Sequence, residues 1–385
     1  MRLPGRPKVE YRSAKHAGCL MSVAQRDWVV EGLRNPQALL ALDGTQWSLL
    51  VRQARAAGLL ARIAGRLDEL GLIAQVPEAP RGHLRAMQHY VAAQHHEVRQ
   101  EIKAIRRALA SVGLPTLLLK GAAYVATDSP AQQGRAFSDV DILVPKPRLA
   151  QAESALMLNG WMTTHLSPYD QRYYRQWMHE LPPMQHVRRK SVLDVHHTIL
   201  PETARARPDA AKLFADAQDV PGWPGVRVLS PRDRLLHSMT HLFHNDDLSH
   251  GLRDLSDLDL LLRELGQSES AWPPLLDRAA ELDLARPLYY GLHCCAAILG
   301  TPLPGGVLAQ SARHAPSGIT AGLMRELWDR ALRCQHHTAA RPGQAAALFL
   351  LYVRAHWLRM PPLMLMRHLA TKAVMRTEAA AQSNG

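Results

Sequence analysis

The chain has 385 residues, of which 47% are hydrophobic and 21% charged, and its formal net charge at pH 7 is +12. This composition is ordinary for a globular protein and excludes a chain that is disordered throughout. No uninterrupted apolar run approaches the eighteen or so residues of a transmembrane helix, so we predict no membrane span. The positive charge is compatible with nucleic acid, an anionic membrane surface or phosphate-bearing substrates, and does not choose among them.

Two features of the sequence indicate the compartment. Residues 1–21 are basic and are not followed by the apolar stretch of a secretory signal, so we predict a disordered basic tail. The cysteines have neither zinc-site spacing nor a disulfide framework, which favours a reducing, cytoplasmic location. They are Cys19, Cys294, Cys295 and Cys334.

Residues 22–113 have a helical pattern. Leucine, isoleucine and tryptophan recur every three or four residues over 46–70, which predicts a helix that continues through this segment. A second long helix is predicted at 81–109. Gly113 and Pro115 end the pattern. We therefore predict an N-terminal helical region.

The next segment, 114–200, alternates short apolar runs with helical patterns, which predicts a small mixed β-sheet covered by helices. A polar loop at 127–137 leads into its most informative strand. The predicted strands are 116–119, 138–144, 184–187 and 192–196, and the predicted helices are 122–126 and 146–158.

After residue 200 the strand signal almost vanishes, apart from 226–229. Proline and glycine separate a series of helical patterns, so we predict that 201–385 is a C-terminal helical domain. The fold class is thus α+β, with a small sheet between two helical regions. The predicted C-terminal helices are 231–244, 248–264, 288–299, 318–334, 344–358 and 363–375.

The strand at 138–144 reads SDVDILV and carries two carboxylates one residue apart. Side chains two apart share a face of a strand, so Asp139 and Asp141 point the same way. Two like charges on a buried strand need compensation, and a cation that prefers oxygen ligands, such as Mg²⁺, provides it. Asp194 lies on a further strand, where alternation places it on the same face as His196, and it is the candidate third acid.

The order of these motifs resembles a known family. Lys120-Gly121 precedes the two aspartates, and Asn159-Gly160-Trp161 and then Leu193-Asp194-Val195-His196 follow them. This pattern resembles the uncharacterised nucleotidyltransferase family of the DNA-polymerase-β-like superfamily. The resemblance covers roughly residues 47–262, and its specific part is 117–197.

The resemblance implies transfer of a nucleoside monophosphate from an NTP to an acceptor, with pyrophosphate leaving. Asp139 and Asp141 would hold two magnesium ions, and Asp194 would ligate the ion at the acceptor and help to deprotonate the attacking hydroxyl. The wider superfamily has Gly-Ser where this chain has Lys120-Gly121. Lys120 is therefore expected to act as a point charge on the β- or γ-phosphate, and a nearby arginine as a fork donor. The expected NTP-binding residues are Lys120, Gly121, Arg135 and Ser138.

Several questions stay open at this point. The acceptor is a small molecule, a peptide or a protein that the sequence does not identify, and nucleic acid is not favoured because the basic run 188–190 is short and lacks interleaved aromatic residues. The alternative is a non-catalytic nucleotide- or RNA-binding protein on the same fold. Arg253 and Asp257 have the spacing of a surface ion pair on a helix. Three histidines at helical spacing suit either zinc or a buried interface: His237, His241 and His244.

Overall fold

The computed structural model describes residues 26–164 and 167–360. The predicted tail at 1–21, Cys19 and the predicted helix at 363–375 lie outside the described residues. Within the described ranges, no helix combines the length and apolar character that a bilayer crossing requires.

The first two long helices show where the sequence pattern misleads. The predicted continuous helix over 46–70 is wrong: the chain forms α2 (Gly44–Ala56) and α3 (Leu60–Glu69). Gly58 lies between them with φ of 67°, a conformation that glycine adopts without steric cost. The Leu59 N–H donates to the Ala54 carbonyl at 2.8 Å, as in a Schellman helix end. The break therefore comes from a glycine cap inside an otherwise helical pattern.

Within residues 26–164 and 167–360 the sheet has seven strands, numbered in chain order and arranged β3-β4-β5-β2-β1-β7-β6. The pairs β2/β5 and β1/β7 are parallel and the other neighbours are antiparallel, so the predicted mixed sheet is confirmed. Its last two strands come from beyond residue 200. The strands are β1 (Thr116–Leu118), β2 (Asp139–Leu143), β3 (Trp161–Thr163), β4 (Met184–His186), β5 (Val192–His196), β6 (Gln218–Asp219) and β7 (Val226–Val228).

Helices cover the sheet and flank it on both sides in sequence, which confirms the α+β class. The helices that precede β4 in the chain are α1 (Trp28–Arg34), α2, α3, α4 (Glu78–Ala110), α5 (Lys120–Ala126), α6 (Leu149–Leu158) and α7 (Pro168–Trp177). The later ones are α8 (Ala210–Ala215), α9 (Pro231–His244), α10 (Gly251–Leu265), α11 (Trp272–Glu281), α12 (Ala285–Cys294), α13 (Gly305–Ser311), α14 (Ile319–Ala331) and α15 (Gln344–Arg359).

Two hydrophobic cores hold these elements together. The smaller core lies between the sheet and α4, where Ile102 and Ile105 pack with the inward side chains of β2. The larger core joins helices from both ends of the described chain, including Trp47 of α2, Phe243 of α9 and Trp328 of α14. The last two rings meet edge to face with centroids 4.8 Å apart. The two helical regions therefore share one core beside the sheet.

Candidate active site

The centre of the sheet brings two of the predicted carboxylates side by side. Strands β2 and β5 are parallel neighbours, and their register sets Asp141 opposite Asp194. Neighbouring strands lie ~4.8 Å apart, so these two side chains stand next to each other on one face. Asp139 begins β2 and shares that face by alternation. We call Asp139, Asp141 and Asp194 the aspartate cluster.

The aspartate cluster has more negative charge than its surroundings neutralise. Burial, followed by the charges of Asp141 and Glu180, raises the pKa of Asp194 to about 7. Burial and the charge of Asp141 also raise the pKa of Asp139. Among the described residues, Asp194 Oδ1 is a buried oxygen with no hydrogen-bond partner. Such an oxygen costs free energy unless a ligand satisfies it.

Asp141 is the member of the cluster that stays ionised. Its Oδ1 lies 2.6 Å from Lys120 Nζ and 2.9 Å from His196 Nε2. Burial opposes the charged carboxylate, yet Lys120 and His196 together hold the pKa of Asp141 far below its usual range. In return, the pKa of Lys120 is raised despite its burial, chiefly by Asp141. At neutral pH Asp141 is therefore ionised and Lys120 is protonated.

Lys120 and Gly121 have local structural roles beside the predicted phosphate contacts. Lys120 opens α5 with φ of 41°, in the left-handed region that non-glycine residues rarely adopt. Such strained residues collect at functional sites. A Cβ on Gly121 would lie 2.1 Å from the Phe137 ring, so only glycine fits there. That both residues contact an NTP stays a prediction.

The other two predicted NTP-binding residues differ in accessibility. Ser138 is exposed, and its hydroxyl donates to Asp139 Oδ1 at 3.2 Å. Arg135 is engaged in ion pairs instead, with Nε 2.9 Å from Asp257 and Nη2 3.4 Å from Asp254. Its side chain is only 11% exposed. The structure thus brings Ser138 to the aspartate cluster and directs the Arg135 guanidinium to α10.

Arg135 belongs to a second group of buried charges, which we call the arginine cluster: Arg62, Arg135, Asp254 and Asp257. Arg62 Nη1 lies 2.6 Å from Asp257 Oδ1. The same guanidinium donates to the carbonyls of residues 131 and 133, in the loop that leads into β2. The arginine cluster therefore holds that loop in contact with α3 and α10.

The expected surface pair of Arg253 and Asp257 is wrong. Asp257 is 3% exposed and takes Arg62 and Arg135 as partners, whereas Arg253 contacts Asp254. Helical spacing showed that the two side chains could meet, but not which face of α10 is buried.

Sequence reasoning missed Glu180, a fourth carboxylate beside the aspartate cluster. Its Oε2 lies 3.3 Å from His196 Nδ1, and its charge contributes to the raised pKa of Asp194. Glu180 follows α7 in a segment without strand periodicity. Its position results from a single bridge to His196 across the end of β5, for which the sequence gives no local signal.

Of the three histidines of α9, His237 and His244 are buried and His241 is half-buried, which favours the interface interpretation over zinc. Burial lowers the pKa of His237 far below its usual range, that of His241 to about 3 and that of His244 to about 4. They are neutral at physiological pH. None of them belongs to a group of potential metal ligands among the described residues.

A cavity of about 540 Å³ opens beside the aspartate cluster. Ser138 and Asp139 line one wall, α4 contributes Gln94 and Glu97, and the turn between β4 and β5 contributes Lys190. Cavities of this size hold small-molecule ligands. Of the aspartate cluster, Asp139 lines this cavity, whereas Asp141 and Asp194 do not.

The family described as uncharacterised nucleotidyltransferase matches residues 43–300, a range that contains the whole sheet and both charged clusters. No curated protein and no solved structure matches the chain.

Proposed function

This chain belongs to the uncharacterised nucleotidyltransferase family, and from that membership we propose that it transfers a nucleoside monophosphate from an NTP to an acceptor hydroxyl in a magnesium-dependent reaction. One observation carries the proposal: a buried, unpartnered oxygen of Asp194 stands beside two further carboxylates. The acceptor is a small molecule, a peptide or a protein, and the reaction takes place in the cytoplasm.

The donor set fits magnesium. Asp139, Asp141 and Asp194 offer only carboxylate oxygens, which Mg²⁺ prefers, and their crowded charges favour a divalent cation. These three residues would hold the metal, which when bound would stabilise negative charge on the reacting phosphate and polarise the attacking oxygen. The excess of carboxylates over cations at this place supports the assignment.

Asp194 is the residue proposed to accept the proton of the acceptor hydroxyl. Without a metal, burial and the neighbouring carboxylates raise its pKa to about 7. A bound cation would lower that pKa, so the ionised carboxylate would be available to accept a proton at neutral pH. The β2/β5 register fixes it beside Asp141, which remains charged because of Lys120. Lys120, which contacts Asp141, and the exposed Ser138, which lines the cavity, would contact the NTP phosphates.

The RNA-binding alternative receives less support from the basic turn. Arg189 is held by Glu101, with Nε–Oε2 and Nη2–Oε1 distances of 2.6 and 3.0 Å, and its guanidinium lies over the Trp161 ring. One of the three charges of the run 188–190 is therefore already neutralised. A phosphate backbone would also be repelled by the aspartate cluster.

The test is NTP turnover by the full-length protein. We expect the wild type with magnesium to release pyrophosphate from one labelled NTP when a metabolite extract supplies the acceptor. Asp139→Asn should lower this turnover by roughly 10²-fold or more, since it removes a charge that holds the metal while keeping the side-chain shape.

Asp219→Asn is the matched control, because its side chain is 87% exposed at the far edge of the sheet. It should turn over like the wild type. Equal turnover of Asp139→Asn and the wild type would refute the magnesium assignment. RNA binding in EDTA together with no turnover of any NTP would favour the alternative.

A further inference from the structure

A second group of potential metal ligands contacts the aspartate cluster through His196 and Asp141. His179, Glu180 and His196 each offer one ligand atom, and these atoms all lie within 4.8 Å of one another. The group combines two imidazole nitrogens with one carboxylate oxygen. It differs in this from the aspartate cluster, which offers oxygen alone.

The backbone holds two of these side chains face to face. The Leu181 N–H donates to the Val195 carbonyl at 2.9 Å, and the His197 N–H donates to the His179 carbonyl at 2.9 Å. These bonds flank the antiparallel bridge between Glu180 and His196. The bridge is thus a non-hydrogen-bonded pair, in which opposite side chains come closest.

The two nitrogens of His196 have separate partners. Nδ1 lies 3.3 Å from Glu180 Oε2, and Nε2 lies 2.9 Å from Asp141 Oδ1. Histidines that bind metals commonly use one nitrogen for the ion while a carboxylate orients the ring through the other. Asp141 has the position of such an orienting carboxylate.

His179 completes the group with an unsatisfied atom. Its Nδ1 is buried and has no hydrogen-bond partner among the described residues, and its ring centroid is 5.1 Å from that of His196. A buried nitrogen without a partner is costly, and ligation of a metal would satisfy it.

The mixture of imidazole and carboxylate ligands favours a transition-metal ion over Mg²⁺. Two imidazoles and a carboxylate suit Zn²⁺ and related transition metals, whereas Mg²⁺ favours sites made of oxygen. The local charge also favours a second cation, since Glu180 adds a fourth carboxylate to a region where the cationic partners of Asp141 are Lys120 and, when it is protonated, His196.

We propose that His179, Glu180 and His196 form a transition-metal site for an ion such as Zn²⁺, separate from the magnesium ligands. The ion would fix the His196 ring and, through it, the orientation of Asp141. His196 is in this respect a positioning residue. The proposal concerns binding, and it stands whether or not the transferase activity is found.

The test uses tag-free, full-length protein that has been stripped of metal and is kept in excess Mg²⁺. Titration with Co²⁺ should give the visible absorption of a nitrogen-ligated ion at one equivalent, and Zn²⁺ should displace it. His179→Gln and Glu180→Gln should each weaken Co²⁺ binding by roughly 10²-fold. Removing a residue that only hydrogen-bonds to a metal ligand already costs about 10–100-fold in affinity, and these two residues would bind the ion directly. Zn²⁺ should raise the melting temperature of the wild type but not that of these two variants.

Two control variants test which residues bind the Co²⁺ ion. His89→Gln removes an exposed histidine of α4 and should bind Co²⁺ like the wild type. Asp139→Asn should also retain Co²⁺ binding while it loses magnesium-dependent turnover. Unchanged Co²⁺ binding in Glu180→Gln, whose side chain is isosteric and tolerated by the fold, would overturn the proposal. Loss of Co²⁺ binding in Asp139→Asn alone would assign the ion to the aspartate cluster.

Discussion

The aspartate cluster and the arginine cluster are both buried groups of charges, yet they differ in balance. In the arginine cluster two guanidinium groups face two carboxylates, with ion pairs of 2.6, 2.9 and 3.4 Å. In the aspartate cluster Lys120 and His196 both contact Asp141, whereas Asp139 and Asp194 have no ion pair among the described residues and Asp194 Oδ1 has no hydrogen-bond partner there. Arg135 Nη1 in the first cluster likewise has no hydrogen-bond partner among the described residues, so the two clusters differ in charge balance. The first has equal numbers of guanidinium and carboxylate groups, whereas the second has an excess of carboxylates and is suited to a cation.

This difference shows that buried charge alone does not indicate a functional site. Paired ions inside a protein organise structure, and removing one partner leaves the other uncompensated. An excess of negative charge raises the pKa values of carboxylates and favours the binding of a cation. Groups perturbed in this way are typical of catalytic centres. If this distinction is correct, the same chemical change should affect stability in one cluster and chemistry in the other.

The largest effect is expected in the aspartate cluster. Asp141→Asn should reduce NTP turnover by roughly 10³-fold or more, because the amide keeps the shape of the side chain but cannot hold a metal as a carboxylate does. Turnover of labelled NTP measures this loss, and urea denaturation gives the accompanying change in stability. Some stability should be lost as well, because Lys120 then lacks its carboxylate partner. Turnover within a few-fold of the wild type would remove Asp141 from the site.

The second effect belongs to the arginine cluster. Asp257→Asn should lower the free energy of unfolding by about 3–5 kcal/mol, since it leaves Arg62 and Arg135 with one carboxylate fewer in a buried setting. Urea denaturation measures it, with the exposed Asp219→Asn as the unchanged control. A loss no larger than that control's would mean that the cluster is not structural.

The smallest effect is a pH dependence at Asp194. The folded state holds this proton up to a pKa of about 7, against 3.8 for the ordinary group, so ionisation costs stability as the pH rises between these values. In EDTA, Asp194→Asn should therefore raise the melting temperature by roughly 2–8 °C at pH 8. The gain should shrink as the pH falls towards 4. A difference that is constant with pH would show that burial does not raise this pKa.

Local signals accounted for much of the fold. The predicted ranges 231–244 and 192–196 coincide with α9 and β5, since Ser230 caps the helix and alternating apolar residues define the strand. The predicted helix over 46–70 was broken by the cap at Gly58. The pairing of β1 with β7 was not predictable, because it depends on contacts between residues distant in the chain.

The candidate site was predictable only in part. Alternation within β2 placed Asp139 and Asp141 together, but the position of Asp194 opposite Asp141 is a matter of register between strands. The position of Glu180 and the burial of Asp257 depend on tertiary packing. No periodic pattern in a single sequence indicates such contacts. What these residues do in catalysis remains a proposal.

The position of β1 in the sheet has a consequence for synthesis on the ribosome. β1 is bounded by β2 on one side and by β7 on the other, and β7 is translated much later. At about 5–20 residues per second, the nascent chain carries an open edge at β1 for on the order of ten seconds. Open strand edges pair with other chains, so this interval is when the protein is most prone to aggregate and most dependent on chaperones.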